Sequence, residues 1–402
     1  VSVRVSTFQF QDQALRAFAE RQREIGLAQQ QIATGERIQK SSDDPLGAAQ
    51  TARFDEIIGR LSQYQRNIDA ASSDVAVQDE SLGEVVGLLQ RVQEIIVGAQ
   101  NGTLNTTDHR NYAVEVRSIT EQVLAVANTT NGAGEYVFSG TRTGQPAFAK
   151  ELGNIGYRGD QTSRELTVSS SIRIQTTMSG SHVFESISSG NGRFAVSAAQ
   201  TNTGTALASQ ATVTDSTALV ATSYSISFTS DTTFDVVDDG SGTNVLVNQV
   251  YNEGVAFSFE GLELSVSGTP AAGDVYTVEP STRKSIFDVL EEVADALERG
   301  PDTASGYALL DQSLQSGLAE ALGAIDRLGE VRAELGSRLV TLDIQREYNE
   351  TAVLGFQEAR VDVAAVDYPE TISRLSNALQ VLESAQQSYL STQNLSLFRL
   401  LR

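Results

Sequence analysis

Residues 54–99 read FDEIIGRLSQYQRNIDAASSDVAVQDESLGEVVGLLQRVQEIIVGA. Taken at alternating steps of three and four, they give Phe54, Ile57, Leu61, Tyr64, Ile68, Ala71, Val75, Gln78, Leu82, Val85, Leu89, Val92, Ile96 and Ala99. Gln78 is the one clearly polar residue in this series, and no proline interrupts it. Apolar residues held at that spacing for more than six repeats form the seam of a long coiled-coil helix, not of an ordinary surface helix. At about 1.5 Å per residue the segment makes a rod of roughly 70 Å. Phe54, Ile57, Leu61, Ile68, Val75, Leu82, Val85, Leu89, Val92 and Ile96 are its expected core. So long and narrow a stripe needs other helices to cover it.

Toward the N-terminus, Phe8, Leu15, Phe18, Ile25 and Ile32 mark a thinner, glutamine-rich helical stripe over residues 8–32, with Gly35 as its stop. A helix of this kind is marginal in water without a partner. In Ser42-Asp43-Asp44-Pro45, Asp44 reads as an N-cap and Pro45 as the first helical residue of the long segment. Asn101-Gly102 terminates that segment. A shorter helix beginning near Thr107-Asp108 carries Tyr112, Val116, Ile119, Val123 and Val126, placed to fold back antiparallel. After Asn131-Gly132 the period changes. Tyr136-Val137-Phe138 reads as a short strand, followed by strands at Arg164–Val168 and Ile172–Ile174.

From about residue 190 to 282 the chain is Ser/Thr/Gly-rich and alternates with period two: Tyr224, Ile226, Phe228; Val255, Phe257, Phe259; Leu262, Leu264, Val266. This is a β domain set between helical parts. Helix resumes at Ser285 and breaks at Gly300-Pro301. A second long stripe then runs from Leu314 through Leu342 to Val366, with a break or kink expected at Tyr368-Pro369. Ile372, Leu375, Leu379, Leu382 and Tyr389 form a last thin stripe before the apolar Leu395–Leu401. The order is nearly palindromic. It predicts a mainly α protein with inserted β: a long antiparallel coiled-coil helical rod from N- and C-terminal segments, plus a central β-rich domain. The expected divisions are a terminal helix at 1–44, the first half of the rod with a hairpin module at 45–190, the β domain at 191–282, the second half of the rod at 283–366 and a terminal helix at 367–402.

The 402 residues carry a net charge of −22, which disfavours nucleic acid and anionic membranes as partners. Between Arg193 and Arg283 there are ten acidic residues and no basic one, a composition suited to solvent. There is no run of apolar residues long enough to insert in a membrane, and Val1–Ser6 lacks the apolar core of a secretory signal. Without cysteine, the chain has no disulfide, thiol nucleophile or thiolate metal site. His109 and His182 stand in separate modules without metal-ligand spacing and read as surface or turn residues. Asp43-Asp44 and Asp238-Asp239 have no companion base, so capping and turn roles suffice. The three lysines, Lys40, Lys150 and Lys284, follow no phosphate-binding loop. No catalytic, cofactor-binding or metal residue is expected, and no enzyme. Arg158-Gly159-Asp160 spells an adhesion tripeptide, and Asn101 and Asn394 head Asn-x-Thr and Asn-x-Ser triplets; matches this short arise readily by chance.

The layout and several dispersed motifs resemble the flagellin superfamily of bacterial axial proteins, on its hook–filament junction branch. The carriers are Ser42-Asp43-Asp44-Pro45 with Ala48 and Ala49, and Tyr136-Val137-Phe138-Ser139-Gly140-Thr141 with Pro146 and Phe148. Ile155-Gly156-Tyr157-Arg158-Gly159-Asp160 leading to Gly180 and Val183-Phe184 is similar to the branch's next module. Gly273-Asp274-Val275-Tyr276, Ser285-Ile286-Phe287-Asp288 and the tail Leu395–Leu401 complete the likeness. The resemblance implies a structural subunit of the flagellum, extracellular after passage through the flagellar type III channel. It implies self-association into a ring, with a hook-side junction protein of the hook-associated protein 1 type and flagellin as neighbours. It also implies a cytoplasmic export chaperone, expected to contact Leu382–Leu400. Phe8, Leu15, Phe18, Ile25, Ile372, Leu375, Leu379, Leu382, Leu397 and Phe398 are the expected assembly interface; closure of an intramolecular bundle by the same residues is the alternative. A filament-forming flagellin, and from a different class a secreted coiled-coil adhesin, are the competing readings.

Overall fold

The computed structural model describes residues 3–151 and 153–400, with the side chains of residues 3–8, 10, 11 and 392–400 outside the description. Seven helices are described: α1 (Val3–Thr34), α2 (Pro45–Ala99), α3 (Thr106–Ala127), α4 (Gly180–Phe184), α5 (Ile286–Arg299), α6 (Ala304–Ala364) and α7 (Tyr368–Leu400). The chain forms two compact units, one from Val1–Arg66 with Arg346–Arg402 and the other from Asn67–Gln345. Among the described residues no helix is long and apolar enough to cross a membrane.

In the first unit α1 packs along α7. The turn after α1 is closed by Gly35, whose N–H donates to the Gln31 carbonyl (2.9 Å) from a left-handed φ of +74°. Arg37 N–H donates to Ala364 O (2.7 Å) and Val366 N–H to Gly35 O (3.0 Å), tying the two ends of the chain together there. The helical break comes earlier than expected: α6 stops at Ala364, and Pro369 lies in the first turn of α7. Proline is at home there because a first-turn N–H has no helical partner to lose. Asp367 supports that start, its Oδ1 accepting from Glu370 N–H (3.0 Å).

In the second unit the seam is buried. From Ile68 to Ile96 every position of the three–four series is fully excluded from water, including Gln78. The core continues through Val116 and Val123 of α3, Leu290 and Leu297 of α5, and Leu314, Leu328 and Leu335 of α6. Helix α6 runs antiparallel to α2: Arg332 Nε reaches Asp79 Oδ1 (2.9 Å), and Gly317 lies beside Ile96. α3 returns along α2, with Arg91 paired to Glu115 (2.8 Å), and α3 packs against α5. α5 begins in a capping box, Ser285 accepting from Phe287 N–H and Asp288 reaching back to Ser285 N–H.

The segment Tyr136–Phe138 is not a strand. Val137 and Phe138 are both buried, so the alternation a half-buried strand requires is missing. The backbone instead follows turns with isolated bridges, Thr130 to Tyr136 and Ser139 to Ser179. Strands Phe148–Glu151 and Asn154–Tyr157 pair next to it, and Glu165–Thr167 pairs with Arg173–Gln175. Phe138, Phe148, Tyr157, Phe184 and Phe287 make one aromatic cluster with centroid separations of 5.1–6.4 Å.

The β part has two sheets over one core. A five-stranded antiparallel sheet takes the order Thr243–Val250, Thr233–Asp238, Tyr224–Phe228, Val275–Pro280, Phe194–Ala198. The second joins Ala256–Phe259, Leu262–Ser267 and Leu207–Ala208. Tyr224, Ile226 and Phe228 all face the core, as do Leu262, Leu264 and Val266. Val255 differs from the expected pattern: it precedes its strand and is exposed, while Phe259 is buried.

Candidate assembly interface

The α1–α7 seam is made of small and medium residues. Ala28, Gln31, Thr371 and Ala378 are buried, and Phe18, Ile25, Leu375 and Leu382 are half-buried. Phe18 meets Tyr389 edge to face at 5.9 Å, a geometry that adds about 0.5–1.5 kcal/mol to area burial. Leu15, Ile372 and Leu379 instead point to solvent, 60%, 52% and 47% exposed, together with Leu27, Val381 and Leu390. The expected interface residues therefore divide between the seam inside the pair and its outer face. The side chains of Phe8, Leu397 and Phe398 lie outside the described residues. A groove of about 280 Å³ between the two helices is lined by Leu27, Ala28, Gln31, Asn377, Ala378 and Val381.

Asp43 and Asp44 perform the turn and cap that adjacent carboxylates allow. Asp43 Oδ2 accepts from the N–H groups of Gln39 and Lys40 (3.2 and 2.9 Å). Asp44 Oδ1 accepts from Gly47 N–H (2.9 Å), and Oδ2 meets Arg37 (3.1 Å). The Gly47 N–H and then Arg37 hold the Asp44 carboxyl below the usual carboxylate range. Further along this unit Phe54 lies against Phe356 at 6.1 Å, and Arg360 bridges Asp55 (2.7 Å) and Glu36 (3.6 Å). Phe54, Ile57 and Leu61 are only half-buried, unlike the seam beyond Ile68.

Two polar arrangements of the second unit lay outside the reach of pattern reading. Gln78 Nε2 donates to Asp74 O (3.0 Å) and to Thr176 O (2.7 Å), so the polar break in the seam fastens α2 to the chain beyond Arg173–Gln175. Beside it Arg164 joins Asp74 and Glu135, both at 2.9 Å, with Asn131 donating to Asp74. On α6, Gln312, Ser316 and Glu320 recur at four-residue steps, the first two bonding the backbone of the inserted sheets and Glu320 that of the turn before Phe194–Ala198. Gln312 takes Ala208 N–H and donates to Ala208 O (2.8 and 3.1 Å), Ser316 donates to Val196 O (3.1 Å), and Glu320 accepts from Gly190 N–H (3.3 Å). In sequence such residues look like a solvated helix face.

His109 corrects its expected surface position. It is 1% exposed, with Nδ1 3.0 Å from Asn105 O and Nε2 3.0 Å from Ala99 O, between the end of α2 and the start of α3. The cause is the tight α2–α3 corner, which turns the first-turn face of α3 inward. His182 is exposed beside Arg327 (2.8 Å). In Arg158-Gly159-Asp160, Arg158 pairs with Glu151, and the Asp160 carboxylate accepts from Thr141 and from Thr162 N–H. That carboxylate is occupied in joining its own turn to the one at Thr141. The cleft of about 610 Å³ beside Phe194–Ala198 holds Lys284, whose ammonium pairs with both Glu292 (2.7 Å) and Glu320 (3.1 Å). Among the described residues no cluster of His, Asp or Glu could hold a metal ion.

Long helices before and after inserted β strands in the chain, together with the matches that follow, mark a flagellin-type axial protein. The family profile of the bacterial flagellin N-terminal helical region matches residues 5–143, and that of the D2-like domain of flagellar hook-associated protein 1 matches residues 197–280. The flagellar junction protein FlgL from Legionella pneumophila is 30% identical with a TM-score of 0.70, covering 80% of this chain and 100% of that one. FlgL of Xanthomonas campestris is 27% identical with a TM-score of 0.72, covering 76% and 98%. The chain belongs to the flagellar hook-associated protein 3 family. Flagellar hook-associated protein 3 of Escherichia coli (strain K12) is 32% identical over 187 residues, 46% of this chain; the chain spans 58% of that relative's length.

Proposed function

We propose that this protein is a non-enzymatic structural subunit of the bacterial flagellum, forming the junction between the hook side and the flagellin filament. The observation that carries the reading is the 30% identity to a flagellar junction protein, a match that covers all of that chain and 80% of this one. Copies associate into a ring, with a hook-associated protein 1-type subunit on one side and flagellin on the other. The subunit reaches that place by export, with a cytoplasmic chaperone near Leu382–Leu400. Residues 1–44 and 367–402 serve as assembly helices, 45–190 and 283–366 as the two halves of the rod, and 191–282 as an outward-facing domain. Leu15, Ile372 and Leu379 carry contacts between copies, because they are among the large apolar groups this helix pair leaves in water. Phe18, Ile25, Leu375 and Leu382 hold the pair in shape, and Phe8, Leu397 and Phe398 extend the contact.

The test is sedimentation of the purified chain with and without filament seeds. The junction reading expects no unaided filaments and incorporation at filament or hook ends. Long filaments grown without seeds would make it a flagellin. A chain lacking residues 1–35 that still joined hook to filament would remove the assembly role of α1.

A further inference from the structure

The chain has three Asn-Gly steps, Asn101-Gly102, Asn131-Gly132 and Asn191-Gly192. Glycine after asparagine leaves the following backbone nitrogen sterically free to reach the side-chain amide carbon. The three sites are held very differently. Asn131 uses both ends of its amide: Oδ1 accepts from the N–H groups of Ala133 and Glu135 (both 3.0 Å), and Nδ2 donates to Asp74 (2.9 Å). Asn191 does the same, Oδ1 taking the N–H groups of Arg193 and Phe194 (both 3.0 Å) and Nδ2 donating to Ala211 O (2.5 Å). The nucleophile there is also engaged, because Gly192 N–H donates to Ser189 O (3.2 Å).

Asn101 differs in its exposure and on its Nδ2 side. Residues 101–103 are all exposed, and a side chain at Gly102 would meet nothing. Its Oδ1 accepts two hydrogen bonds, from Thr103 N–H (3.1 Å) and Thr103 Oγ1 (3.0 Å). Two donors on the amide oxygen stabilise the negative charge that develops there under nucleophilic attack; all three sites share them, so exposure and the leaving group set Asn101 apart. Nδ2, the leaving group, has no anchor comparable to Asp74 or Ala211. We propose that Asn101 is a self-modification site, converting to aspartate and isoaspartate in the folded protein while Asn131 and Asn191 are protected.

The chemistry needs only water and base. Gly102 N loses its proton and bonds to Asn101 Cγ; the Cγ–Nδ2 bond breaks, and Nδ2 leaves as ammonia with a proton. Water then opens the succinimide at either carbonyl, giving aspartate or isoaspartate. The product puts a carboxylate just past the C-terminus of α2, where the helix dipole disfavours negative charge. Opening to isoaspartate also lengthens the connection that carries Leu104 O, the acceptor of Tyr307 Oη (3.1 Å), and Asn105, the N-cap of α3.

Trypsin separates the three sites into residues 92–110, 118–142 and 174–193. The folded full-length protein, incubated at mildly alkaline pH, is expected to convert 92–110 roughly tenfold faster than the other two, a difference of about 1.4 kcal/mol in barrier. In urea the three rates are expected to converge. Thr103→Val is expected to slow 92–110 alone. Conversion of 118–142 or 174–193 as fast as 92–110 in the folded protein overturns the proposal, and an unchanged rate in Thr103→Val overturns the role of the Thr103 hydroxyl.

Discussion

Gln78 shows what a single residue adds to a pattern. A seam reading makes it the flaw in an otherwise apolar series, so Gln78→Leu should stabilise the helix pair. The structure reverses the sign. Gln78 is the donor for Thr176 O, and its loss strands a buried carbonyl, so Gln78→Leu is expected to cost roughly 1–3 kcal/mol in denaturant unfolding. Nearby, Arg164 hydrogen-bonds Glu135 and holds its carboxyl below the ordinary value of 4.5. A carboxyl depressed by folding stabilises above its unfolded value and loses that contribution as pH falls through the folded one. Unfolding titrations should therefore show a loss of stability beginning near pH 4.5 and continuing below it. Glu135→Gln is expected to flatten that part of the profile. The apolar identity of the seam from Ile68 to Ala99 was legible because helical period and burial coincide there. His109 and Gln78 were not, since the carbonyls they meet come from backbone that carries no side-chain signature.

At the scale of elements, start and stop signals were the most readable feature. Asp44 and Ser285 cap the helices they precede, and Gly35 closes α1. Gly35 also makes the sharpest demand. Its φ is +74°, and a Cβ there would stand 3.1 Å from Tyr368 Oη. Gly35→Ala thus combines left-handed strain with a tight contact and is expected to cost about 1–3 kcal/mol, read as earlier loss of helical signal on heating. Gly87→Ala, on an exposed helical position with open space, is the control and should raise helicity if it changes anything. Tyr368-Pro369 marks the break four residues past the end of α6 because an internal proline ends a helix, whereas here it opens one. The Gln312–Ser316–Glu320 ladder escaped notice for a different reason: four-residue spacing places residues on one face, but only the fold says that the face meets backbone.

At the scale of the whole molecule the charge is unevenly shared. Residues 1–66 and 346–402 hold 14 basic and 15 acidic residues, whereas 67–345 hold 15 basic and 36 acidic. Nearly all of the net −22 therefore belongs to the second unit, and the unit that contains the terminal helices is close to neutral. The proposed association of copies through the exposed apolar residues of α1 and α7 would bring near-neutral surfaces together and would also gather highly anionic second units. Their mutual repulsion acts over a Debye length of about 30 Å at 0.01 M salt and about 10 Å at 0.1 M. Raising salt through that range should strengthen self-association if apolar contact drives it, since screening removes the repulsion and leaves burial intact. Attraction between opposite charges on neighbouring copies predicts the reverse. Sedimentation velocity at the two salt concentrations separates the cases, and Leu379→Ser is expected to abolish the salt-induced association in the first case only.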